Sequence, residues 1–383
     1  MKRVAFLISV IGLTSLMWAF WPRDAYSHNP ITTTVLFNRE IVRIFENKCL
    51  VCHTEQGMAI PLTTYEQARP WAEAIKEEIL QRTMPPWAAV AGYGQFANDL
   101  GLTTREREFL ISWIDGGAPK GEALVSGVQG PSPVSNHDHA DGDLGQPDMV
   151  RPLPDAFTVQ PGRSNDIQRS VVELGLTSDR WVRAVGFKPG DRRVVRAAFF
   201  SVAETGQWLG GWTPWHEATS LPSGVAFRLP AGSRIATEIH YRGAAEPVED
   251  RSSLALYFAA KPTEKQPSDL VIQSGPGAVP PKATGLRVYG ELVVPEDSYA
   301  FALRPEMHAG GRSLEVKAIK PDGSIQILVW VRNYRQDWQT PYIFKEPVFL
   351  PNGTKLAVTA YYDNPSEQAQ TGSFRVTLTC YRG

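Results

Sequence analysis

Two cysteines and a histidine stand within one short stretch, Cys49-Leu50-Val51-Cys52-His53. In this C-x-x-C-H spacing both thiols can reach the two vinyl-derived carbons on one edge of a porphyrin, and the next residue presents its imidazole to the iron. One helical turn suffices to carry all three. Half of a zinc site is the first alternative, but zinc needs a second pair of ligands, and the one other cysteine of the chain is Cys380. A redox dithiol is the second, and it would follow a βαβ pattern that does not precede this motif. The chemistry expected is therefore one covalent haem c, bound through Cys49 and Cys52 and ligated by His53.

A second axial ligand has to come from the opposite face, well downstream. Met84, in Thr83-Met84-Pro85-Pro86-Trp87, is the expected donor, because the prolines force an extended loop able to bring a side chain back over the haem. Met58 competes, but it follows His53 too closely. Either methionine could instead be ordinary core packing. His/Met ligation raises a reduction potential and suits single-electron transfer. Another donor-rich tract, Asn136-His137-Asp138-His139-Ala140-Asp141-Gly142-Asp143, could hold a metal, but polar ligands in a flexible loop are more often solvated.

The elements that must position these residues divide into unlike regions. The chain has 383 residues and a formal net charge of −1, with 32 glycines, 30 prolines and 11 tryptophans. A charge so close to balance argues against nucleic acid as a partner, since phosphate binding wants a basic excess. Lys2, Arg3 and the apolar run from Ala5 to Phe20, followed by Ala25-Tyr26-Ser27, read as a signal segment over 1–27. Retention as a membrane anchor is the alternative. The expected location is the periplasm or another exported compartment, where c-type haem is attached and where three cysteines make no disulfide scaffold.

Residues 36–120 read as a small all-α haem domain. Helices are expected over Ile41 to Cys49 and Tyr65 to Gln81. A third opens on the capping box at Thr103 and Glu106 and ends at Gly116-Gly117. Residues 121–149, rich in Gly, Ser, Pro and Asp, read as a linker. Beyond them, period-two alternation marks strands over 181–187, 194–200, 235–241, 254–258, 314–319, 325–331 and 356–362. Leu229-Pro230-Ala231-Gly232 through Tyr241 returns as Leu350-Pro351-Asn352-Gly353 through Tyr362. Two related all-β sandwiches, 150–262 and 263–383, are the expected reading. Cys380, near the end of the last strand, is expected as a buried free thiol.

Several segments together resemble bacterial exported fusions of a cytochrome c with a copper type II, ascorbate-dependent monooxygenase-like region. They are the C-x-x-C-H, Thr83–Trp87, Phe96–Asp99 with Leu102-Thr103, Trp113–Pro119, Gly145–Asp148, Arg183–Gly190, Leu229–Gly232, Glu238–Tyr241 and Glu306–His308. The resemblance implies a pair of jelly-roll-like sandwiches, as in peptidylglycine and dopamine hydroxylating enzymes, with one copper in each. It also implies ligand positions. A His-His pair of the first copper falls on Arg196 and Ala197, and the third histidine on His240. A His-x-His of the second copper falls on Glu306 and His308, and no methionine follows Met307 to complete it. His240 and His308 thus remain as weak vestigial candidates, with Glu306 beside the second and His216 as a further donor. One histidine per site cannot hold copper tightly, so copper is not expected.

The expectation is an electron-transfer cytochrome whose β region docks a periplasmic redox partner or binds a small molecule. The alternatives are a haem-fed copper hydroxylase and a structural subunit of an oxidoreductase complex, in which a membrane-associated assembly has a place.

Overall fold

The computed structural model describes residues 33–122, 144–163 and 165–383. Residues 1–27, expected as a signal segment, the Asn136–Asp143 tract and most of residues 121–149 lie outside the described residues.

Four α-helices occupy the first part: α1 Val42–Lys48, α2 Tyr65–Ala68, α3 Ala72–Gln81 and α4 Thr104–Asp115. A single helix over Tyr65 to Gln81 is not what forms. Pro70 has no N–H to donate, and a 3₁₀ turn at Arg69–Trp71 separates α2 from α3. Helix α4 starts where its capping box places it, with Thr103 and Glu106 satisfying each other's backbone N–H groups. It stops at Gly116, and Gly117 follows at φ +85°. Ile41, Phe45, Leu110, Trp113 and Ile114 meet in the helical core, where the rings of Phe37, Phe45, Tyr65 and Trp113 pack edge to face or tilted.

Most of the protein is β-sheet. Strands β1 Met149–Pro152, β2 Phe157–Val159, β3 Asp166–Glu173, β4 Arg180–Lys188, β5 Val195–Val202 and β6 Trp208–Trp212 come first. They are followed by β7 Ala218–Ser220, β8 Phe227–Leu229, β9 Arg234–Tyr241, β10 Val248–Asp250 and β11 Ser253–Phe258. Sheets ordered β1-β11-β4-β7 and β3-β9-β5-β6 enclose one core. A second set runs β12 Pro267–Gln273, β13 Gly277–Val279, β14 Leu286–Val293, β15 Ser298–Met307 and β16 Gly311–Ile319. It continues with β17 Ile325–Arg332, β18 Tyr342–Leu350, β19 Lys355–Tyr362, β20 Gln370–Gly372 and β21 Phe374–Arg382. Here the sheets are ordered β12-β21-β15-β18 and β14-β19-β16-β17, around another core.

The two strand orders correspond place for place, so the repeat read from Leu229 and Leu350 is a repeat of topology. Equivalent residues do equivalent work: Leu229 and Leu350 are fully buried, as are Ile235 and Leu356. Gly232 and Gly353 turn at φ +77° and +82°, a region that favours glycine. The phenols of Tyr241 and Tyr362 each close their sandwich, one donating to Asp250 at 2.9 Å and the other to the Ser373 carbonyl at 2.5 Å.

The helical part is tied to the second sandwich by residues 88–98. The N–H of Val90 donates to Trp330 and the N–H of Arg332 to Ala88, while Lys345 donates to Gln95 and Ala97 to Ile343. These bonds fall on β17 and β18, the outer strands of the two facing sheets. One segment therefore satisfies the open edges of both sheets at once, which an exposed sandwich edge needs. Asn98 is wholly buried, donating to the Pro341 carbonyl at 2.7 Å and accepting from Ile343 N–H at 3.1 Å. Trp87, Phe96 and Leu100 complete the sandwich core.

Candidate functional site

Helix α1 hands the chain directly to the cysteines. The N–H groups of Cys49 and Leu50 both donate to the Phe45 carbonyl, at 2.8 and 2.9 Å. The carbonyl of Cys49 then accepts from Cys52 and His53, both at 3.0 Å, so the motif is wound as one more turn. The following loop closes over it: Leu62 N–H donates to the His53 carbonyl at 3.0 Å, and His53 Nδ1 donates to the Ile60 carbonyl at 2.8 Å. That second bond fixes the imidazole's tautomer and ring plane and leaves Nε2 as the available donor atom. Gly57 makes the close return, since a Cβ there would come within 2.1 Å of the Cys52 carbonyl oxygen.

Burial sets the charge of all three groups. It holds the His53 imidazole below its ordinary range, against the smaller opposing effect of the Ile60 carbonyl, so the ring is neutral and able to donate a lone pair. Burial, and then the neighbouring Cys52, push the Cys49 thiol up to about 12. Cys52 is likewise pushed up to about 12 by burial, with Arg192 pulling weakly the other way. Both cysteines are unbridged, protonated thiols at neutral pH. The turn lies at a junction: Cys49 and Leu50 pack on the helical core, while Val51 and Met58 pack on the core of the second sandwich.

Met84 is half-buried and lines a different space. A cleft of about 1140 Å³ lies between the helical part and strands β17 and β18, with Ile79, Met84, Trp87 and Leu102 among its walls. Its volume is somewhat above the range of about 300–1,000 Å³ usual for small-molecule and cofactor sites. Cys49, Cys52 and His53 are not among its lining residues, so the structure does not bring Met84 and His53 together on one wall.

Of the positions marked by the resemblance, Arg196, Ala197 and His240 lie on the face between the sandwiches, and His308 is exposed. In the β5–β9 register Ala197 stands directly opposite His240, and Phe199 opposite Glu238, all on the outer face of that sheet. Arg196 sits at the register shift of β5 and is buried. The second sandwich covers this face. Arg304 lies 4.7 Å over the Phe199 ring, and Trp208 clusters with Phe301, Ala302 and Ile343. Sequence reasoning missed this packing and the links across it. Arg196 Nη1 donates to the Asp337 carbonyl at 2.9 Å and its carboxylate at 3.1 Å, while its guanidinium lies 5.0 Å over Trp338.

Each remaining donor has a protein partner. His240 Nε2 donates to Glu238 at 2.9 Å, and this bond, with Arg169 beyond it, holds the Glu238 carboxyl down at about 2 against burial. Glu306 accepts from Arg304 at 2.8 Å. His308 is exposed and its Nδ1 lies 2.7 Å from Ser373 Oγ. His216 is buried with Nε2 3.3 Å from Thr219 Oγ1, and does not join Glu306 and His308 as a third donor. Among the described residues no three His, Cys, Asp or Glu side chains gather where they could hold a metal ion. Cys380 is buried on β21, its thiol pushed up to about 12 by burial.

No family model matches the chain, and no curated protein matches it. Among solved structures, the major capsid protein P2 of bacteriophage PM2 is similar at 11% identity and a TM-score of 0.28, covering 61% of this chain and 98% of that one. The infectious bursal disease virus VP2 subviral particle is similar at 9% identity and a TM-score of 0.21, over 63% of this chain and 78% of that one. PNGF-II follows at 11% identity and a TM-score of 0.25, over 60% and 65%. Superpositions this loose carry no argument about what the chain does.

Proposed function

We propose that this chain is an exported c-type cytochrome, with one haem covalently held by Cys49 and Cys52, that passes single electrons to or from a periplasmic partner protein. The observation that carries the reading is the wound Cys49–His53 turn with His53 Nδ1 tied to the Ile60 carbonyl at 2.8 Å. Two protonated thiols lie a turn apart, suited to add S–H across two vinyl groups, and a neutral imidazole is oriented with Nε2 available. The bound haem would supply reversible one-electron chemistry. The protein's part is to fix the ring plane of His53, keep its proton on Nδ1, and exclude water from the turn by packing Leu50 and Val51 on two cores. In this reading the helical part is a cytochrome c domain whose iron His53 would hold, and Met84 would join it only by leaving the wall of the separate cleft that it lines. The sandwiches are the docking or ligand-binding module.

The test is denaturing electrophoresis of exported protein with a haem stain, beside a pyridine haemochrome spectrum. Haem should stay with the denatured wild type and be lost when Cys49 and Cys52 are both replaced by alanine. Complete extraction of haem from the wild type by acid acetone would refute covalent attachment.

A further inference from the structure

The cleft beside Met84 is not used by the motif turn, and its walls have a definite chemistry. Helix α3 and the loop after it contribute Ile79, Met84 and Trp87 as an apolar floor. Arg82 and Arg107 line the helical side, and Lys345, in the middle of β18, lines the sandwich side. None of these three cations carries an ion pair or a side-chain hydrogen bond among the described residues. Arg332, a fourth cation in the cleft, stacks 4.1 Å over Trp330 instead. Two carboxylates share the walls. Asp99 is exposed and accepts from the Gly101 N–H at 2.7 Å, and partial desolvation of its carboxyl raises its pKa. Glu346 is the other, so the cleft keeps a cationic excess.

We propose that this cleft binds an amphipathic carboxylate, an alkyl or aryl acid with its body against Ile79, Met84 and Trp87 and its carboxylate between Arg82 and Arg107. Apolar walls supply the affinity, and the unpaired guanidiniums supply the choice of an anion over a neutral analogue. Arginine suits the role because its fork can take both carboxylate oxygens. Neither wall forms the site alone, since the helical part brings the arginines and the sandwich closes the cleft with Phe344 and Lys345. The bonds of residues 88–98 to β17 and β18 hold the two walls at a fixed separation. The site does not require the haem reading, although Met84 belongs to both.

Isothermal titration of the full chain with octanoate, and separately with octan-1-ol, tests the proposal. Octanoate should bind saturably at one site and at least tenfold more tightly than the alcohol. Arg82→Gln with Arg107→Gln, both at exposed or half-exposed positions, should weaken octanoate about tenfold or more and leave octan-1-ol unchanged, as loss of charge-assisted hydrogen bonds requires. Equal binding of acid and alcohol, indifference to the double substitution, or no saturable octanoate binding would each overturn it. Haem staining of the same preparation reports on the cytochrome reading separately, so failure of one is not failure of the other.

Discussion

The Cys49–His53 turn and the strand positions around His240 and His308 both carry metal-binding residue types, and the protein treats them differently. At the turn, the one protein bond to the imidazole uses Nδ1 and orients Nε2 outward, while both thiols stay unbridged. Between the sandwiches the charged groups are paired within the protein: His240 Nε2 with Glu238, Glu306 with Arg304, and Arg196 with Asp337, while the buried His240 Nδ1 has no hydrogen-bond partner among the described residues. In all three histidines one ring nitrogen is held by the protein: His53 and His308 through Nδ1, and His240 through Nε2. What surrounds each imidazole distinguishes the two regions: His53 shares one helical turn with two unbridged thiols, whereas His240 and His308 stand beside a single Glu or Ser partner.

The largest expected effect breaks the first side of this comparison. His53→Ala should abolish a low-spin haem spectrum in protein that still carries stained, covalently bound haem, because attachment uses only the thiols. Gly57→Ala should lower the haem-loaded fraction severalfold, since the loop cannot return past the Cys52 carbonyl with a Cβ in the way. An unchanged visible spectrum in the His53 variant would mean that another residue ligates the iron.

The second side is broken by rebuilding it. The wild type, supplied with copper and desalted, should retain no stoichiometric copper in residues 144–383, since no site offers more than one imidazole. Replacing Arg196 and Ala197 together by histidine places two imidazoles beside His240, whose strand partner is Ala197. About one equivalent should then be retained. Cross-strand neighbours stand ~4.5–5.5 Å apart at Cβ, close enough for a shared ion. Two tight coppers on the wild type, removed together by His240→Ala and His308→Ala, would show that the strand donors do exchange their protein partners for metal.

A smaller effect concerns how the unlike regions are joined. Asn98→Ala should lower the free energy of unfolding by about 3 kcal/mol, as it orphans the buried Pro341 carbonyl and Ile343 N–H at ~1–3 kcal/mol each. Urea denaturation of the full chain measures it, and a loss below about 1 kcal/mol would mean the junction relaxes onto water.

Much of this was legible in sequence. The motif spacing, the capping box at Thr103, the period-two strands and the echo of Leu229–Tyr241 in Leu350–Tyr362 all rest on local rules, and the structure follows them. The failures share a cause. Strand β6 is buried along its whole length, so Trp208–Trp212 shows no alternation to read, whereas the strand expected over 194–200 forms as the almost equally buried β5. Both faces of β6 are covered, one by the core and one by the other sandwich, and period two vanishes when neither face meets water. Residues 88–98 were unreadable for a related reason. They pair with two different sheets through a few bonds each, which imposes no period. Pro70, by contrast, announced a break that helical periodicity alone overrode.

The smallest expected effect tests whether His240 is a structural strut. Glu238 sits at about 2 in the folded protein, chiefly through the hydrogen bond from His240 and secondarily through its charge and Arg169, against an ordinary value of 4.5. A carboxyl whose pKa is depressed by folding contributes stability above its unfolded pKa and loses it as pH falls toward the folded one. The window is therefore between roughly pH 4.5 and 2, and the loss grows as acid protonates the unfolded chain first. Between pH 6 and pH 3.5 this one group should remove about 1 kcal/mol. Glu238→Gln should flatten that part of the urea-midpoint profile by the same amount, while leaving haem content untouched, because the pair lies between the sandwiches and away from Cys49–His53. His240→Asn should flatten it less completely, since Arg169 still faces the carboxylate at 2.8 Å. If neither variant alters the acid limb, the His240–Glu238 bond does not stabilise the folded state. His240 would then be packed between the sandwiches without acting as a strut.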